Sequence, residues 1–570
     1  MLTSAGGLPR SSVRNGRRTA PFLLQLPVAL VAVIAALPLV FIAARAWESG
    51  WSSAWQLLWR PFVGQLLANT LALMLLVTFF CAAIGLLLAW CMTRSDIKGR
   101  RQWNVLLCLP FAIPAFVSSF TWVSISPAFE GLWGAVLIMT LAKYPVVYLP
   151  VAAALRNIDA SLDESARMLG YCRAEAFWKV TFPLLRPTLL ATSLLVALHM
   201  LIEFAALSIL RFQTFTTAIY QQFELEFSNT HAAMLSAVLL ALCLILLWLE
   251  LRMRGRGFAR TGQGAARQGA LIPLGAWQWP LQVGLGTLVA LGCVVPLVML
   301  GYWIEEGTSS GLQLDRVQET LGASLSLAFG GALLSCVLAL PVGFVVVRYR
   351  GRIATVADRL PYLLQAVPGL VIALSLVYIA LTFVPSLYQT TLLLLVAYAL
   401  LFLPMAQAPI RTALEKAAPQ LEEAARTLGC RPFMAFFKVT LPIIFPAVAA
   451  GFVLVFLDTL KELTATLVLG PTGLDTLATA FWSHTAVLEY GAAAPYAGLI
   501  VLVSGIPVYL MTARRIRETE GPSRAAGGGG TPVANVPSYN ASGVVTSCVA
   551  TSGVATSGVV TPAGQPQHER

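Results

Sequence analysis

The sequence predicts an all-α polytopic membrane protein with about 12 transmembrane helices, arranged as two parallel six-helix repeats. Hydrophobic residues make up 58% of the 570-residue chain and charged residues only 11%, which is far from the composition of a soluble domain. Apolar runs of about 20 residues recur along the chain, and such a run crosses a bilayer core of about 30 Å as a helix. One 25-residue polar pattern also occurs twice, 259 positions apart, between such runs.

The first apolar run follows a basic start and so resembles a signal peptide. That run is too long, however, and no clear small-residue cleavage site follows it, so we expect an uncleaved first helix. The twelve predicted spans are 22–44, 67–92, 104–126, 132–155, 188–210, 232–251, 280–303, 321–347, 360–382, 386–409, 444–469 and 492–513.

The basic residues predict the orientation of these spans. With the N-terminus inside, cytoplasmic segments hold 32 of the 38 Lys and Arg residues, whereas the external loops hold only Arg60, Arg211 and Arg316. Because cationic loops resist translocation, both termini are expected in the cytoplasm. The net charge of +12 is therefore interpreted as a topology signal, with membrane lipid and not nucleic acid as the partner.

The chain shows no pattern typical of a catalytic or metal site. Its nine cysteines and four histidines are dispersed without a CxxC pair, so neither a disulfide framework nor a metal site is predicted. A phosphate-binding loop needs Gly-Lys followed by Ser or Thr, and the sequence contains no Gly-Lys dipeptide. We therefore expect a transport subunit without an ATPase site of its own, without catalytic residues and without a cofactor.

The similarity between the halves extends beyond the polar pattern, since Ala112–Ala115 matches Ala366–Gly369 in a register of 254. Each half holds six spans, so both repeats should enter the membrane with the same orientation, as in transporters built from parallel repeats. The predicted organisation is a basic N-terminus (1–20), a first half (21–252), a cytoplasmic linker (253–279), a second half (280–515) and a disordered tail (516–570).

The repeated polar segments span 163–187 and 422–446 and are identical at 12 of 25 aligned positions. In each copy a short helix should end at a glycine, because glycine adopts the left-handed conformation that stops a helix. A second amphipathic helix should follow, and Pro183 and Pro442 should mark where the chain turns back into the membrane. A single loop of this kind is usually a solvated connector, but its duplication favours a pair of docking surfaces.

The second copy, with Glu423, Ala424, Ala425, Gly429 and Pro442, resembles the signature loop of the membrane subunits of ABC importers. The first copy shares that resemblance through Glu164, Ala166, Gly170 and Pro183, and departs from it at Ser165 and Phe182.

The resemblance implies that each loop is a coupling helix seated on one of two copies of a cytoplasmic ABC ATPase. It also implies a bacterial inner-membrane location, a periplasmic substrate-binding protein as partner, and transport by alternating access.

Two fused halves resemble the ferric-iron branch of these permeases, with support from Thr214–Tyr220, Lys461–Leu463 and Thr476–Thr479. Polyamine, thiamine and sulfate permeases share the fold and remain alternative assignments. A secondary transporter driven by an ion gradient and a membrane scaffold are further alternatives, but the first leaves the duplicated loop unexplained and the second leaves the intramembrane charges unexplained.

Ionisable residues recur at matching positions within the fifth and eleventh spans. His199 aligns with Asp458, and Glu203 aligns with Glu462, each pair being spaced i, i+4 on one predicted helix face. Charged groups at membrane depth usually face a pathway or a partner. The four residues therefore either line a translocation pathway suited to a cation, or brace the bundle by pairing with Lys143, Lys461 or backbone groups.

Overall fold

The structure, a computed structural model, describes residues 22–48, 55–56, 59–224, 229–254, 271–308, 314–349 and 351–520. Within these ranges the chain is helical apart from short connections and one isolated parallel bridge between Ser95 and Ile272. The all-α prediction is thereby confirmed. The predicted basic N-terminus, residues 255–270 of the predicted linker and the tail from 521 lie outside the described residues.

The helices of the first half are α1 (Phe22–Glu48), α2 (Pro61–Arg94), α3 (Arg100–Leu106), α4 (Ala115–Ile125), α5 (Leu132–Asn157), α6 (Ala160–Met168), α7 (Arg173–Ile202), α8 (Ala205–Ile209), α9 (Phe215–Glu224) and α10 (Asn229–Arg254). Those of the second half are α11 (Gly275–Gly307), α12 (Leu314–Arg348), α13 (Arg352–Ala366), α14 (Gly369–Phe383), α15 (Thr391–Lys416), α16 (Pro419–Thr427), α17 (Pro432–Leu460), α18 (Thr464–Leu469), α19 (Leu477–Ala486) and α20 (Tyr490–Glu520).

The number of membrane-spanning helices differs slightly from the predicted twelve. Nine helices of the described chain are long and apolar enough to cross a membrane. Two further predicted spans are each split into a bent pair, at 85° between Arg100–Ala112 and α4 and at 109° between α13 and α14, which makes up to eleven. Pro114 and Pro368 stand at these breaks, immediately before α4 and α14. The remaining predicted span lies within α20, of which Tyr490–Ile506 is the apolar segment among the residues with described side chains, so the count of twelve stays a prediction.

Each half is built around the same three packed helices. In the first half α2, α5 and α7 pack together, and in the second half α12, α15 and α17 do so. A buried tyrosine at the matching position of α5 and α15 ties this core to a neighbouring broken segment: the Tyr144 hydroxyl donates to the Leu107 carbonyl at 2.7 Å, and the Tyr398 hydroxyl bonds to Thr466 Oγ1 at 2.6 Å. The repeat in sequence is therefore a repeat in packing.

The first helix of each half also packs against the other half. Helix α1 contacts α12, α13 and α14, and its buried Val28 and Val31 join the hydrophobic core of the second half. Helix α11 contacts α4 and α20, and its Leu285 and Leu300 join the core that contains the first half. The boundary near residues 252–280 thus separates two sequence repeats but not two independently packed units.

Candidate functional site

The first repeated loop contains the nine-residue helix α6, which a Schellman motif ends. Gly170 has φ of 90°, in the left-handed region. Its amide donates to the Arg167 carbonyl at 3.0 Å, and the next amide, that of Tyr171, reaches back to the Ala166 carbonyl at 3.2 Å. These two bonds satisfy carbonyl groups that would otherwise have no partner at the helix end, and they fix the direction in which the chain leaves it.

The second loop repeats this arrangement bond for bond at the end of α16. Gly429 has φ of 91°, its amide donates to Arg426 at 3.1 Å, and the Cys430 amide donates to the Ala425 carbonyl at 3.0 Å. A Cβ built on either glycine would meet no atom within 4 Å. Glycine is therefore required at both positions by the backbone conformation and not by crowding.

Beyond the glycines the structure differs from the prediction of a separate amphipathic helix and a turn at the prolines. Helices α7 and α17 run without a break from the loop into the membrane-spanning segment, over 30 and 29 residues. Each contains a π-helical turn, at Phe177–Thr181 and Phe436–Thr440, and Pro183 and Pro442 follow two residues later. Since proline has no N–H to donate, the wider turn lets the helix continue past it.

The predicted coupling residues fall into two groups by exposure. Ala166 and Ala425 are buried beneath their loops, whereas Ser165 and Ala424 at the preceding position are exposed. A serine in place of alanine at that exposed position therefore disturbs no packing, which explains why the first copy accepts it.

The predicted glutamates lie on the exposed surface of the two loops. Glu164 and Glu423 are exposed and form neither a hydrogen bond nor an ion pair with any part of the chain that the structure describes. Their carboxylates are therefore accessible to a partner protein.

The acids that hold the loops in place are their neighbours, which the sequence reasoning missed. Thr181 Oγ1 donates to Asp163 Oδ1 at 3.3 Å, and in the second loop Arg348 Nε lies 3.9 Å from Glu422 Oε2. Burial raises the pKa of the Glu422 carboxyl, and the Arg348 guanidinium opposes that rise. The sequence contained a signal for these contacts, because an acid directly precedes both Glu164 and Glu423 and a threonine occupies both position 181 and position 440.

Large apolar side chains lie exposed on both loops. Met168 and Leu169 are 89% and 80% exposed at the end of α6, and Phe433 is 77% exposed at the start of α17. Apolar side chains clustered on an otherwise polar surface are typical of a protein–protein contact site.

Glu203 lies immediately after α7, and Glu462 lies two residues after the end of α17, so the predicted placement of each i, i+4 pair on one continuous helix face is wrong. Each helix ends at the break, and the acid lies two residues before the start of the next short helix, α8 or α18. Glu203 Oε1 accepts from the Ala206 amide at 3.5 Å, and Glu462 Oε1 accepts from the Ala465 amide at 3.0 Å. The two carboxylates thus perform the same capping role at the same point of each half.

The intramembrane lysines pair with nearby acids. Lys143 Nζ lies 3.8 Å from Glu203 Oε2, and Lys461 Nζ lies 2.7 Å from Asp458 Oδ1. Lys461 also lies 5.6 Å from the centre of the Phe111 ring, which belongs to the other half. These contacts are of the bracing type, and a role in the pathway stays a prediction.

The four predicted pathway residues nevertheless come together across the two halves. Both lysines interact electrostatically with His199, and Glu203 and Asp458 both do so with Glu462. His199 Nδ1 is buried, and no group among the described residues forms a hydrogen bond with it. We call these residues the charged cluster; its members are Lys143, His199, Glu203, Asp458, Lys461 and Glu462.

A family model described as the binding-protein-dependent transport system inner membrane component matches residues 81–253 and 331–517. The chain belongs to this family. The two matched segments fall on the two halves, so the chain is a fused two-half permease of this family, and the resemblance drawn from the loops is confirmed. As such a permease it is a multi-pass inner-membrane transport subunit that works with a substrate-binding protein and an ATPase.

Individual relatives cover different shares of this permease. The Fe(3+)-transport system permease protein FbpB 2 of Haemophilus influenzae is 43% identical over 498 residues, which are 87% of this chain and 98% of that protein. The sulfate transport system permease protein CysT of Escherichia coli is 30% identical over 257 residues, 41% of this chain and 93% of that protein. The CysT protein of Salmonella typhimurium is 29% identical over 258 residues, with the same two shares.

Proposed function

We propose that this permease moves ferric iron from a periplasmic binding protein into the cytoplasm, driven by two copies of a separate ATPase that dock on the two loops. The single observation that carries the proposal is the bond-for-bond repetition of the glycine-terminated loop, at Gly170 and at Gly429. Two such surfaces in one chain fit two identical partner subunits. The exposed Met168, Leu169 and Phe433 supply the apolar contact that such docking needs.

The continuous helices supply a mechanism for coupling. Helix α7 joins the first loop to Glu203 through 30 residues, a rigid length of about 45 Å at 1.5 Å per residue. When ATP closes the two ATPases, the loops are drawn together, and α7 and α17 carry this movement to the breaks at Glu203 and Glu462. The charged cluster between the halves then opens towards the binding protein, and hydrolysis restores the first state.

The charges favour a cation over an anion as the substrate. The charged cluster holds three carboxylates, on Glu203, Asp458 and Glu462, against two ammonium groups, on Lys143 and Lys461. Ferric iron, the substrate in the name of the 43% identical relative, agrees with this formal excess of one acidic group. Sulfate is the second candidate because permeases about 30% identical carry that name, but a dianion would be repelled by the same groups.

The orientation follows from the loops. If both loops meet a cytoplasmic ATPase, the even number of spans in each half places both termini in the cytoplasm, in agreement with the basic residues near them. Cysteine accessibility at the two ends of the chain would test this orientation directly.

The decisive experiment measures uptake in a strain that lacks this chain, with labelled ferric iron, sulfate, thiamine and spermidine supplied in turn. Selective loss of ferric-iron uptake, restored by the intact chain, is expected. The double variant Glu164→Lys and Glu423→Lys should fail to restore uptake and should no longer copurify with the ATPase. Glu319→Lys, at an exposed acid on α12 outside both loops, is the matched control and should behave as the parent. Unchanged copurification of the double variant would contradict the docking role, whereas loss of sulfate uptake alone would contradict the iron assignment.

A further inference from the structure

A cavity of about 600 Å³ lies beside the first loop. Its walls come from the end of α2, from α6, from the start of α7, and from Leu271 and Ile272, where the chain re-enters the second half. It shares Glu164 with the proposed docking surface, but the space beneath that surface is distinct from the docking contact. The residues that line it are Ala83, Leu86, Leu87, Trp90, Arg94, Asp163, Glu164, Arg167, Arg173, Ala174, Phe177, Trp178, Thr181, Leu271 and Ile272.

The lining of the cavity is divided into an apolar end and a basic end. Ala83, Leu86 and Leu87 form the apolar end on the membrane-spanning part of α2, and Leu87 is 58% exposed on the surface that faces lipid. Arg94 and the two arginines of the loop region form the basic end. A cavity of this kind suits a ligand with an anionic head and a hydrocarbon tail.

The side chain of Arg94 has a buried nitrogen atom, Nη2, without a hydrogen-bond acceptor among the described residues. A buried guanidinium nitrogen without a partner is unfavourable, because its lost hydration is not replaced. An acceptor that enters the cavity would remove this penalty.

In the second half the equivalent arginine has an acceptor within the chain for its Nη2 atom, although its Nε forms no hydrogen bond with the described residues. Arg348 corresponds to Arg94 in the register of 254, and its Nη2 donates to the Ala417 carbonyl at 2.9 Å while its Nε lies 3.9 Å from Glu422. The counterpart of Glu422 is Asp163, which is one methylene shorter. Both carboxylates interact with the threonine at the matching position, Thr181 or Thr440, but within the described part of the chain only Glu422 lies within ion-pair distance of the arginine. Among the described residues, the first half therefore offers Arg94 Nη2 no counterpart of the Ala417 carbonyl that accepts from Arg348 Nη2.

We propose that this cavity binds one anionic phospholipid of the cytoplasmic leaflet. The phosphate lies against Arg94, Arg167 and Arg173, and one acyl chain follows the apolar end along α2. Asp163 and Glu164 also line the cavity, so three cations face two carboxylates and an anionic head group is favoured over a zwitterionic one. Trp90 and Trp178 stand between the two ends, where indole rings favour the membrane interface.

The bound lipid would connect the first loop to α2, as the ion pair between Arg348 and Glu422 connects the second loop to α12. Arg167 belongs to α6, so a lipid phosphate held by Arg94 and Arg167 ties this loop to α2 and to the membrane. In the second half Arg348 of α12 and Glu422 of α16 form that link within the chain. Anionic lipid would therefore set the stability of one loop and leave the other unchanged.

The test measures lipid binding by the purified full-length chain in nanodiscs of phosphatidylcholine containing increasing phosphatidylglycerol, with retained lipid counted by mass spectrometry. Arg173→Gln removes one exposed cation and should weaken the preference for phosphatidylglycerol about fivefold. Arg94→Gln should weaken it at least as much, and Ala83→Phe should weaken it by filling the apolar end. Arg431→Gln, an exposed arginine of the second loop, is the matched control and should change nothing.

The outcomes separate the possible sources of the phosphate. An undiminished preference for phosphatidylglycerol in both Arg173→Gln and Arg94→Gln would overturn the proposal, even if the second variant were unstable. Displacement of the lipid by millimolar inorganic phosphate, together with no effect of Ala83→Phe, would show a site for free phosphate and would equally overturn it. Because the readout is binding, the result stands apart from the iron and ATPase assignments.

Discussion

Replacing Gly170 or Gly429 with alanine tests the reason for which these loops hold glycine. Both residues have φ near 90°, and an added Cβ would meet no atom within 4 Å. The cost of alanine is therefore conformational alone, about 1–2 kcal/mol for an L-residue held in the left-handed region. The loss should fall on the Schellman bonds, in particular on the bond from the Tyr171 amide to Ala166.

Hydrogen exchange of the amides that close each motif is the appropriate assay, because local opening is what the substitution favours. If the free energy of local opening falls by about 1–2 kcal/mol, the amides should exchange about 5- to 30-fold faster. Asparagine tolerates the left-handed conformation, so Gly170→Asn should accelerate exchange less than Gly170→Ala. Gly284→Ala in α11 is the control, since that helical glycine also has open space and alanine there should be neutral or stabilising.

The exchange rates measured with glycine, asparagine and alanine at position 170 test whether the backbone conformation requires glycine. Equal exchange for glycine and alanine at position 170 would refute the conformational argument. Asparagine as harmful as alanine in the isolated chain would refute it as well. If both substitutions left exchange unchanged and weakened only ATPase binding, the glycines would serve close approach of the partner and not the turn.

Three further predictions concern the acids and the exposed apolar residues. The variants Glu203→Gln and Glu462→Gln retain an oxygen that can accept from the amide of the following helix. If these acids only brace the break, uptake should survive both glutamine substitutions and fail with alanine at the same positions. Loss of uptake in the glutamine variants as well would indicate that the charge itself is needed. Burial raises the pKa of Glu422 above its usual value of 4.5, so the folded protein binds this proton more tightly than the unfolded chain does. The melting temperature of the parent, measured relative to that of Glu422→Gln, should therefore rise as the pH falls from 7 towards 4.5. A decrease over this range would contradict the assignment. The double variant Met168→Ser and Phe433→Ser should leave the melting temperature unchanged, because both side chains are exposed. It should weaken ATPase copurification at least tenfold, as expected for apolar anchors at an interface. Unaltered copurification would place the contact elsewhere.

Several features of this protein were determined by local chemistry and could therefore be predicted from its sequence. Apolar run length fixed the all-α membrane fold, since a backbone in lipid must satisfy its own hydrogen bonds. The duplicated polar loop indicated the two halves and the family. Glycine at 170 and 429 predicted the helix ends, because few other residues adopt that backbone conformation.

Other features depended on contacts between distant parts of the chain, and only the tertiary structure decided them. Composition gave no indication that α1 packs largely on the second half or that α11 contacts α4 of the first half, since apolar helices match many partners equally well. The i, i+4 spacing of His199 and Glu203 indicated one helix face, but the helix ends at Ile202 and the acid caps the next segment. Likewise, Arg94 and Arg348 are identical in the repeat, and only their surroundings show that Arg348 Nη2 donates to a carbonyl within the chain whereas Arg94 lines a cavity. Local sequence thus determined which helices form and where the loops stop, whereas the partner of each buried charge was set by side chains brought from remote positions.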